Sequence, residues 1–440
     1  MQDTAEQARG GHGHGHGHGN RRNKIDQLRV ELDRAGVVPI TPAPTPSPEL
    51  YTLGQALAFD PILSGNQDIA CLTCHHPTLN TDDNRPLPLG TGGVGLGMNR
   101  VGGHIVPRNA PELFNRHMFD GMFWDARVAM DDQGRFLTPA GNHVTPAMQQ
   151  VLRDGYGALG AQAMFPPTSP VEMRGQPGEN PIADIRAGEF TQIWNAYMTR
   201  IGNIPQYVTM FEAAYPGTSF QDMSMAHVGN AIGAFESQAF LSTGSPFHRF
   251  VAGDDDAMTD EQIDGALDYF AAGCGTCHGG PMLSDADFHN TGVPQIGTGT
   301  RGGVDNRDDF GRILVTGHPR DRYAFRSPSL HNVELTGPWG HAGQFGDLRV
   351  YIEHYIDIEG SLRAWRPEDN VIDPSLWNTQ YDNFDNMLEN LSPGVVSGVP
   401  AHLVSDEMMV FMGALTDPAM LDLTHLVPAS VPSGLPVGGL

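Results

Sequence analysis

The chain has 440 residues and a formal net charge of −25, from 51 acidic and 26 basic residues. This charge disfavours nucleic acid and anionic membranes as partners and favours a basic redox protein. No stretch approaches the roughly 20 apolar residues of a membrane span, and the 54 glycines and 34 prolines indicate a mainly α-helical chain with long loops.

Residues 1–45 have the composition of a flexible N-terminal tail. A glycine–histidine repeat is followed by a short helical run near residues 24–35 and a proline-rich linker over residues 39–48. The repeat suits either binding of copper, nickel or zinc, or a solubilising tail without a ligand. Its histidines are His12, His14, His16 and His18.

Apolar residues at helical spacing predict helices over residues 50–59, 185–201, 204–214, 225–243, 260–270 and 406–415. Thr259 and Ser405 are the predicted N-caps of the last two. Residues 131–159 are predicted to be an inserted surface segment. The main boundary is placed near residue 245, which gives domains over residues 46–244 and 245–427 and a C-terminal tail over residues 428–440.

All four cysteines lie in two C-x-x-C-H runs about two hundred residues apart. This is the covalent attachment signature of c-type haem, in which two thiols form thioethers and the histidine ligates the iron. Two redox dithiols or one split zinc site fit the pattern less well, because each run ends in histidine and no cysteine is left over. The predicted haem-binding residues are Cys71, Cys74 and His75 in the first run and Cys274, Cys277 and His278 in the second.

Two covalently bound haem c groups, one in each half of the chain, are therefore expected. Covalent haem attachment takes place outside the cytoplasm. Residues 1–40 lack the apolar core of a secretory signal. We therefore expect that an export signal has been removed and that the protein is periplasmic.

Eight further runs, in the same order along the chain, resemble the bacterial diheme cytochrome c peroxidase family, including its MauG-type branch. The resemblance extends over residues 47–437 and implies two cytochrome c-like domains that face each other. It also implies an interface between the haems that holds calcium and a tryptophan. The runs span residues 108–115, 123–127, 170–173, 245–250, 288–294, 328–333, 335–343 and 431–437.

For the first haem, the resemblance places a distal histidine of the peroxidases in the loop of residues 89–92, which here has none. A five-coordinate, high-spin iron is therefore expected, as in MauG-type enzymes. His104 is the nearest substitute ligand, although it suits a loop position equally well. His76 is too close to the attachment site to cross the ring.

The spacing of Gln162, Pro166 and Glu172 matches the MauG-type distal pocket. The resemblance implies that Glu172 acts as general acid and base on peroxide, that Gln162 orients the peroxide and that Pro166 limits the space. The alternative for Glu172 is a cap, or an ion pair with an arginine such as Arg174.

For the second haem, Tyr355 falls where peroxidases have an axial methionine and MauG-type enzymes have an axial tyrosine. A phenolate stabilises high oxidation states of iron, whereas methionine favours Fe(II). His354 and Tyr351 are the alternatives to Tyr355. Trp124 matches the tryptophan between the haems, with a buried structural role as its alternative.

Asn109 and the carbonyls of Thr336 and Pro338 match the calcium site of the family, and oxygen donors suit that cation. His341 is expected to support the second haem by hydrogen bonding. One position departs from the resemblance. MauG-type enzymes that oxidise a bound protein carry a surface tryptophan two residues before the second haem motif, where this chain has Ala272.

The expected activity is that of a diheme oxidoreductase that reacts with hydrogen peroxide and shares oxidising equivalents between its haems. The electrons come either from a small cytochrome c or cupredoxin, as in a cytochrome c peroxidase, or from side chains of a protein substrate. A non-catalytic carrier with two saturated haems is a third option. The oligomeric state is left open, with a homodimer as one option.

Overall fold

The computed structural model describes residues 16–300, 307–395 and 397–439. The described chain is mainly helical, as predicted, with three small antiparallel sheets. The helices are α1 (His16–Arg34), α2 (Pro48–Phe59), α3 (Cys71–Cys74), α4 (Pro146–Asp154), α5 (Gly157–Gln162), α6 (Phe190–Gly202), α7 (Pro205–Ala214), α8 (Met225–Ala239), α9 (Pro246–Val251), α10 (Asp260–Ala271), α11 (Ile313–Thr316), α12 (Leu348–Glu353), α13 (Ile358–Ala364), α14 (Pro367–Asn370), α15 (Phe384–Glu389) and α16 (Asp406–Ala414).

The sheets are short and pair strands that are close in sequence, except for one long-range pair. The first two sheets pair β1 with β2, and β3 with β4 and β5, whereas β6 pairs with β7 through Phe288 opposite Arg326. The strands are β1 (Gly93–Val94), β2 (Val101–Gly102), β3 (Gly121–Met122), β4 (Val128–Met130), β5 (Phe136–Leu137), β6 (Phe288–His289) and β7 (Phe325–Arg326).

Each C-x-x-C-H run follows a helix that packs closely against a later helix. The helix α2 crosses α8 at Gly54, where a Cβ would lie 1.9 Å from the carbonyl oxygen of Ala231. The helix α10 crosses α16 at Gly265, where a Cβ would lie 1.8 Å from the carbonyl oxygen of Glu407. Only glycine permits these two approaches. Each pair belongs to one of the two largest apolar clusters, so both haem motifs start from a rigid base.

The predicted caps account for where these helices begin. Thr259 and Gln262 form a capping box at the start of α10, and Ser405 Oγ accepts from the backbone N–H of Met408 at the start of α16. Ser47 caps α2 in the same way through Leu50. These contacts satisfy N–H groups that have no partner within the helix.

The prediction of a flexible tail over residues 1–45 is wrong for the part that forms α1. Ile25, Leu28 and Leu32 recur at helical spacing and are buried in the second apolar cluster, against α10. Lys24 Nζ lies 2.6 Å from Asp264 and Arg29 Nη2 lies 2.8 Å from Asp255. Of the glycine–histidine repeat, His12 and His14 lie outside the described residues, and the side chains of His16 and His18 also fall outside them.

The segment of residues 131–159 is also more than a surface insertion. It contains β5, which extends the sheet of β3 and β4, and α4, which buries Met148 and Leu152. The helix α4 packs against α8. Two buried side chains four residues apart give α4 an apolar stripe that must be covered. The insertion therefore joins the first apolar cluster and, through β5, borders the first haem motif.

Several helix ends differ from the predictions. The helix α6 begins at Phe190 rather than residue 185, and α8 ends at Ala239 rather than residue 243. In the described ranges, no helix is both long and apolar enough to cross a bilayer.

Candidate active site

The first C-x-x-C-H run forms one wall of a cavity of about 890 Å³, to which Cys71, Cys74 and His75 all contribute. His75 Nδ1 lies 3.1 Å from the carbonyl oxygen of Thr81, and burial lowers the pKa of His75 to about 4. The ring is therefore neutral, with its proton on Nδ1. The lone pair of Nε2 is left to ligate a metal.

Gln162, Pro166 and Glu172 all line this same cavity, as the sequence predicts for a shared pocket. Gln162 is the last residue of α5, and Glu172 lies in a single π-helical turn, Pro170–Arg174, capped by Ser169. Such turns are rare and occur frequently at functional sites. The structure thus brings the three side chains together with the first haem motif, while their chemical roles stay predictions.

Glu172 lies beside an arginine, as in the predicted alternative of an ion pair, but the arginine is not Arg174. Burial raises the pKa of Glu172, and Arg127, whose Nη2 lies 3.9 Å from Oε1, opposes this shift. Arg127 in turn lies 3.6 Å above the ring of Phe123. Arg174 donates to the carbonyl oxygen of Ile185 instead. The partner of Glu172 is therefore Arg127, which the sequence did not indicate.

The loop of residues 89–92 packs directly on the segment that carries Glu172. A Cβ on Gly90 would lie 1.9 Å from the carbonyl oxygen of Val171, and the backbone N–H of Thr91 donates to the carbonyl oxygen of Glu172 over 2.8 Å. A larger residue than glycine does not fit at position 90. The loop therefore supports Glu172.

The two histidines considered as substitute ligands lie elsewhere. His104 is not among the residues that line the cavity, and its Nε2 is 4.0 Å from Glu179. His76 packs on the edge of Phe59, and its Nδ1 lies 2.7 Å from the hydroxyl oxygen of Thr78. Among the described residues that line this cavity, His75 is the single histidine.

The second C-x-x-C-H run also lines a cavity, which is smaller, at about 190 Å³. Cys274, Cys277 and His278 all contribute to its lining. His278 Nδ1 lies 3.1 Å from the carbonyl oxygen of Leu283, and burial lowers the pKa of His278. Its Nε2 is thus also left for a metal. Tyr269, on α10, donates to the carbonyl oxygen of His278 over 2.6 Å and fixes the backbone.

Of the three candidates for the second axial ligand, two line the second cavity: Tyr355 and Tyr351. His354 does not line it, because its ring nitrogens lie 2.8 Å from the carbonyl oxygen of Thr291 and 2.9 Å from Ser361 Oγ. Burial raises the pKa of Tyr355, and a hydrogen bond with Thr291 opposes this shift. The geometry leaves two tyrosines as candidates.

Three residues line both cavities: Trp124, Asn109 and Arg326. The indole N–H of Trp124 donates to the carbonyl oxygen of Asn109 over 2.9 Å. Arg326 is buried, and its Nε has no hydrogen-bond partner among the described residues. Burial lowers the pKa of Arg326 to about 9, with a further contribution from Arg116. The predicted position of Trp124 between the two haem motifs agrees with this geometry.

A buried arginine that lines the first cavity is paired with two carboxylates. Arg108 Nη1 donates to Asp125 over 2.7 Å, and its Nε and Nη2 donate to the two carboxylate oxygens of Asp309 over 2.7 and 2.9 Å. Sequence reasoning missed this ion pair. Arg108 and Asp125 lie in motif runs that were identified, but nothing local indicated Asp309 as their partner.

The predicted calcium residues Asn109, Thr336 and Pro338 all line the second cavity. Asn109 Nδ2 donates to the carbonyl oxygen of Arg85 over 2.9 Å, so its amide oxygen is the side-chain atom left for a cation. His341 stacks on Phe325 with ring centroids 3.7 Å apart. The calcium assignment stays a prediction.

Within the described residues, one group of metal-ligating side chains lies close together. Ligand atoms of Cys277, Asp285 and His289 are within 4.8 Å of one another. Cys277 belongs to the haem attachment motif, so this group forms part of the cofactor's surroundings. The predicted calcium residues are not in it.

The donors fit haem c better than zinc or a dithiol. The two cysteine pairs line different cavities, which excludes one zinc site built from all four. In contrast, each cavity presents two thiols for thioether bonds and one imidazole Nε2 for iron.

Comparison with known proteins supports this assignment. The family described as di-haem cytochrome c peroxidase matches residues 48–256. Two relatives are 30% identical to the chain: the methylamine utilization protein MauG of Methylorubrum extorquens, over 75% of this chain and 74% of the relative, and the cytochrome c551 peroxidase of Pseudomonas aeruginosa, over 68% of each.

A solved structure has a fold similar to that of this chain. The crystal structure of a MauG-like protein associated with microbial copper homeostasis has a TM-score of 0.59 and 24% identity, and the match covers 87% of this chain and 94% of that one. Together with two separate C-x-x-C-H sites, these matches show that the chain belongs to the di-haem cytochrome c peroxidase and MauG family, a class of oxidoreductases with two c-type haems.

Proposed function

We propose that the protein activates hydrogen peroxide at the first haem and shares the oxidising equivalents with the second, as a MauG-like peroxidase. The observation that carries this proposal is the composition of the first cavity. The described lining of this cavity contains Gln162, Pro166 and Glu172, and His75 is its single histidine. This composition supports a high-spin iron with a face open to peroxide.

The roles of the side chains follow from their chemistry. When bound, the first haem supplies the redox-active iron at which the O–O bond of peroxide breaks. Glu172 accepts the proton from one peroxide oxygen and delivers it to the leaving oxygen, and its buried position suits this transfer near neutral pH. Gln162 donates a hydrogen bond that orients peroxide. Pro166 limits the space, so that larger molecules are kept from the iron.

At the second site, His278 and Tyr355 are proposed as the two residues that would hold the haem iron. A phenolate ligand would stabilise high oxidation states of the iron, so that this haem could store an oxidising equivalent. Trp124, which lines both cavities, is proposed as the bridge for electron transfer between the haems.

One observation favours the alternative function, a cytochrome c peroxidase that takes electrons from a small cytochrome c or cupredoxin. Ala272 occupies the position of the surface tryptophan through which MauG-type enzymes oxidise a bound protein. Ala272 is 5% exposed and packs in the cluster that contains α1. A bound protein substrate is therefore not oxidised through that position.

Calcium at Asn109, Thr336 and Pro338, a periplasmic location and two haem domains that meet near residue 245 belong to the same proposal. The oxygen donors of Asn109, Thr336 and Pro338 suit calcium and support the calcium assignment. The location rests on the covalent haem sites, because haem is attached to such sites outside the cytoplasm. The two apolar clusters support the division for the helices, because α2 and α8 share one cluster and α10 and α16 share the other. Met420, Leu423 and Leu426 of the second domain nevertheless pack in the first cluster.

The test is to add stoichiometric peroxide to the fully oxidised holoprotein while visible, near-infrared and EPR spectra are recorded. A high-spin signal before addition and a long-lived near-infrared band after it are expected. Turnover only after partial reduction would favour the cytochrome c peroxidase. Low-spin signals from both irons and no reaction would contradict both functions, and would indicate a ligand such as Met122 or Met173, which also line the first cavity.

A further inference from the structure

A series of aromatic side chains leads from the second haem cavity towards the protein surface. It begins at Tyr351, which lines that cavity beside Tyr355, and continues through Phe345, Trp365 and Trp377. We call these four residues the aromatic relay. Phe345 and Trp365 are buried, whereas Trp377 is partly exposed.

Three rings of the relay, those of Tyr351, Phe345 and Trp365, form a chain of close neighbours. The centroids of Tyr355 and Tyr351 are 6.1 Å apart, and Tyr351 stacks on Phe345 at 4.7 Å with an angle of 14° between the rings. Phe345 lies 6.5 Å from Trp365. Trp377 packs on the same apolar cluster as Trp365 and Tyr351.

The outer end of the relay is held firmly in place. The indole N–H of Trp377 donates to the carbonyl oxygen of Val371 over 2.9 Å. In the same loop, Asp373 forms a buried ion pair with Arg85 over 2.8 Å. A rigid environment keeps the rings at fixed separations and limits rearrangement when a ring gains or loses an electron. Ile372, which follows Val371 in the chain, is 44% exposed, so this loop presents apolar surface to a partner.

We propose that the aromatic relay is the route by which the second haem exchanges electrons with an external donor, and that Trp377 is the exit residue. This inference rests on the proposed function. Tyrosine and tryptophan are the side chains most easily oxidised by one electron, and they stand at both ends of the relay. The donor is a redox protein, or an oxidisable side chain of a protein substrate, that contacts the loop of Trp377 and Ile372.

The electrons and atoms balance with peroxide as the oxidant. Each H₂O₂ takes two electrons and two protons and yields two waters, as its O–O bond breaks. Tyr351 first loses an electron to the haem side and passes its phenol proton to its hydrogen-bond partner Tyr355. Trp365, across Phe345, then reduces Tyr351, which regains its proton, and Trp377 reduces Trp365. The donor finally returns one electron to the oxidised Trp377. Trp377 keeps its indole proton during this transfer, because its hydrogen-bond partner is a backbone carbonyl and not a base. The two protons come from solvent.

The experiment exposes the holoprotein to excess peroxide without a donor and locates added oxygen by peptide mass spectrometry. Unreduced oxidising equivalents should accumulate on the relay, so we expect oxygen at Trp377 and Trp365. The variant Trp377→Phe should lose the label at its own position and react with peroxide at an unchanged rate. Its oxidised state should then decay severalfold more slowly when donor is present.

The matched control is Trp194→Phe. Trp194 is a buried tryptophan of the first apolar cluster, and its N–H likewise donates to a backbone carbonyl, that of Met164, over 3.0 Å. This variant should keep both the labels on the relay and the decay rate. Absorbance spectra and thermal unfolding of each variant confirm that the haem sites are intact.

The outcomes separate this inference from the function on which it rests. If peroxide leaves the haem spectra unchanged, the proposed function fails. If peroxide changes the spectra but oxygen appears elsewhere, and Trp377→Phe decays like the wild type, the relay is not the route. Equal labelling of Trp194 and Trp377 would also overturn the proposal, because it would indicate oxidation without preference for the relay.

Discussion

At the scale of single residues, the ionisation of Glu172 determines the reaction with peroxide. Its carboxylate must be deprotonated to accept a proton, and burial raises its pKa. The rate should therefore fall as the pH decreases through that raised pKa. Glu172→Gln should slow the reaction by roughly 100-fold or more, the usual contribution of a general acid–base group. Stopped-flow rates against pH measure both effects.

Arg127 provides the matched test, because its charge opposes the effect of burial on Glu172. In Arg127→Gln the pKa of Glu172 should be higher, so the pH profile should move to higher pH. Arg135→Gln, which removes an exposed arginine paired with Asp131, should leave the profile in place. Equal rates for Glu172→Gln and wild type would remove Glu172 from the proposed role.

The second haem should respond to the chemistry of its axial residue. In Tyr355→Met a thioether replaces a phenolate, and we expect the reduction potential of that haem to rise, because methionine favours Fe(II). Spectroelectrochemistry measures the potential. Tyr351→Phe is the control and should keep the ligand-to-iron absorption of the wild type. If the control changes that absorption and Tyr355→Met does not, Tyr351 is the ligand.

The residues of the site were predictable to different extents. The haem-binding cysteines and histidines follow from one local spacing, and Glu172 and Trp124 from short runs that resemble the family. Arg127 and Arg326 were not predicted, because their importance comes from neighbours distant in sequence. Arg127 and Glu172, for example, come within 3.9 Å of each other only when the chain is folded.

At the scale of elements, α1 should contribute to stability although it precedes the first haem motif by many residues. Leu28 has no exposed surface. Leu28→Ala should therefore lower the free energy of unfolding by about 2–5 kcal/mol, the range for a large-to-small change in a core. Urea unfolding of the holoprotein measures this. The control is Val30→Ala, since Val30 is 55% exposed and its truncation should have little effect.

If Leu28→Ala and Val30→Ala unfold alike, α1 does not contribute to the core. The sequence predicted a short helical run here but placed it in a flexible tail. The glycine–histidine repeat and the proline-rich linker on either side dominated the composition. The apolar face of α1 consists of only three residues, Ile25, Leu28 and Leu32. The helix against which it packs, α10, lies more than two hundred residues later in the chain.

Other elements were predictable where local signals were strong. Capping residues placed the starts of α10 and α16 correctly. The structure of residues 131–159 was harder to predict, because turns and polar residues separate β5 from α4. Their burial depends on α8, which the sequence alone does not place beside them.

At the scale of the whole molecule, Arg108 joins distant parts of the chain. Although burial alone would raise the pKa of Asp309, Arg108 lowers it to about 2, and Arg108 likewise keeps the pKa of Asp125 low. Arg108→Met would leave two buried carboxylates without this cation. We expect a loss of about 3–5 kcal/mol in the free energy of unfolding near neutral pH.

The sign of the pH dependence tests the cause. A depressed carboxylate pKa stabilises the fold above the ordinary pKa of aspartate, and this contribution is lost as the pH falls towards about 2. The difference between wild type and Arg108→Met should therefore shrink as the pH is lowered from about 4 to about 2. The exposed Arg363→Met is the control and should unfold like the wild type. A pH-independent difference would indicate lost packing instead of lost charge pairing.

The burial of the cysteine pairs has a consequence for how the protein is made. Burial holds the thiols of Cys71 and Cys274 in the protonated form, and Ala35, just after α1, packs on the second C-x-x-C-H run, where its carbonyl oxygen accepts from the backbone N–H of Gly280 over 2.8 Å. The cysteines are only partly exposed in the finished fold, so the surrounding structure would restrict access to the anchoring sulfurs. We expect the porphyrins to be attached while the polypeptide is still open.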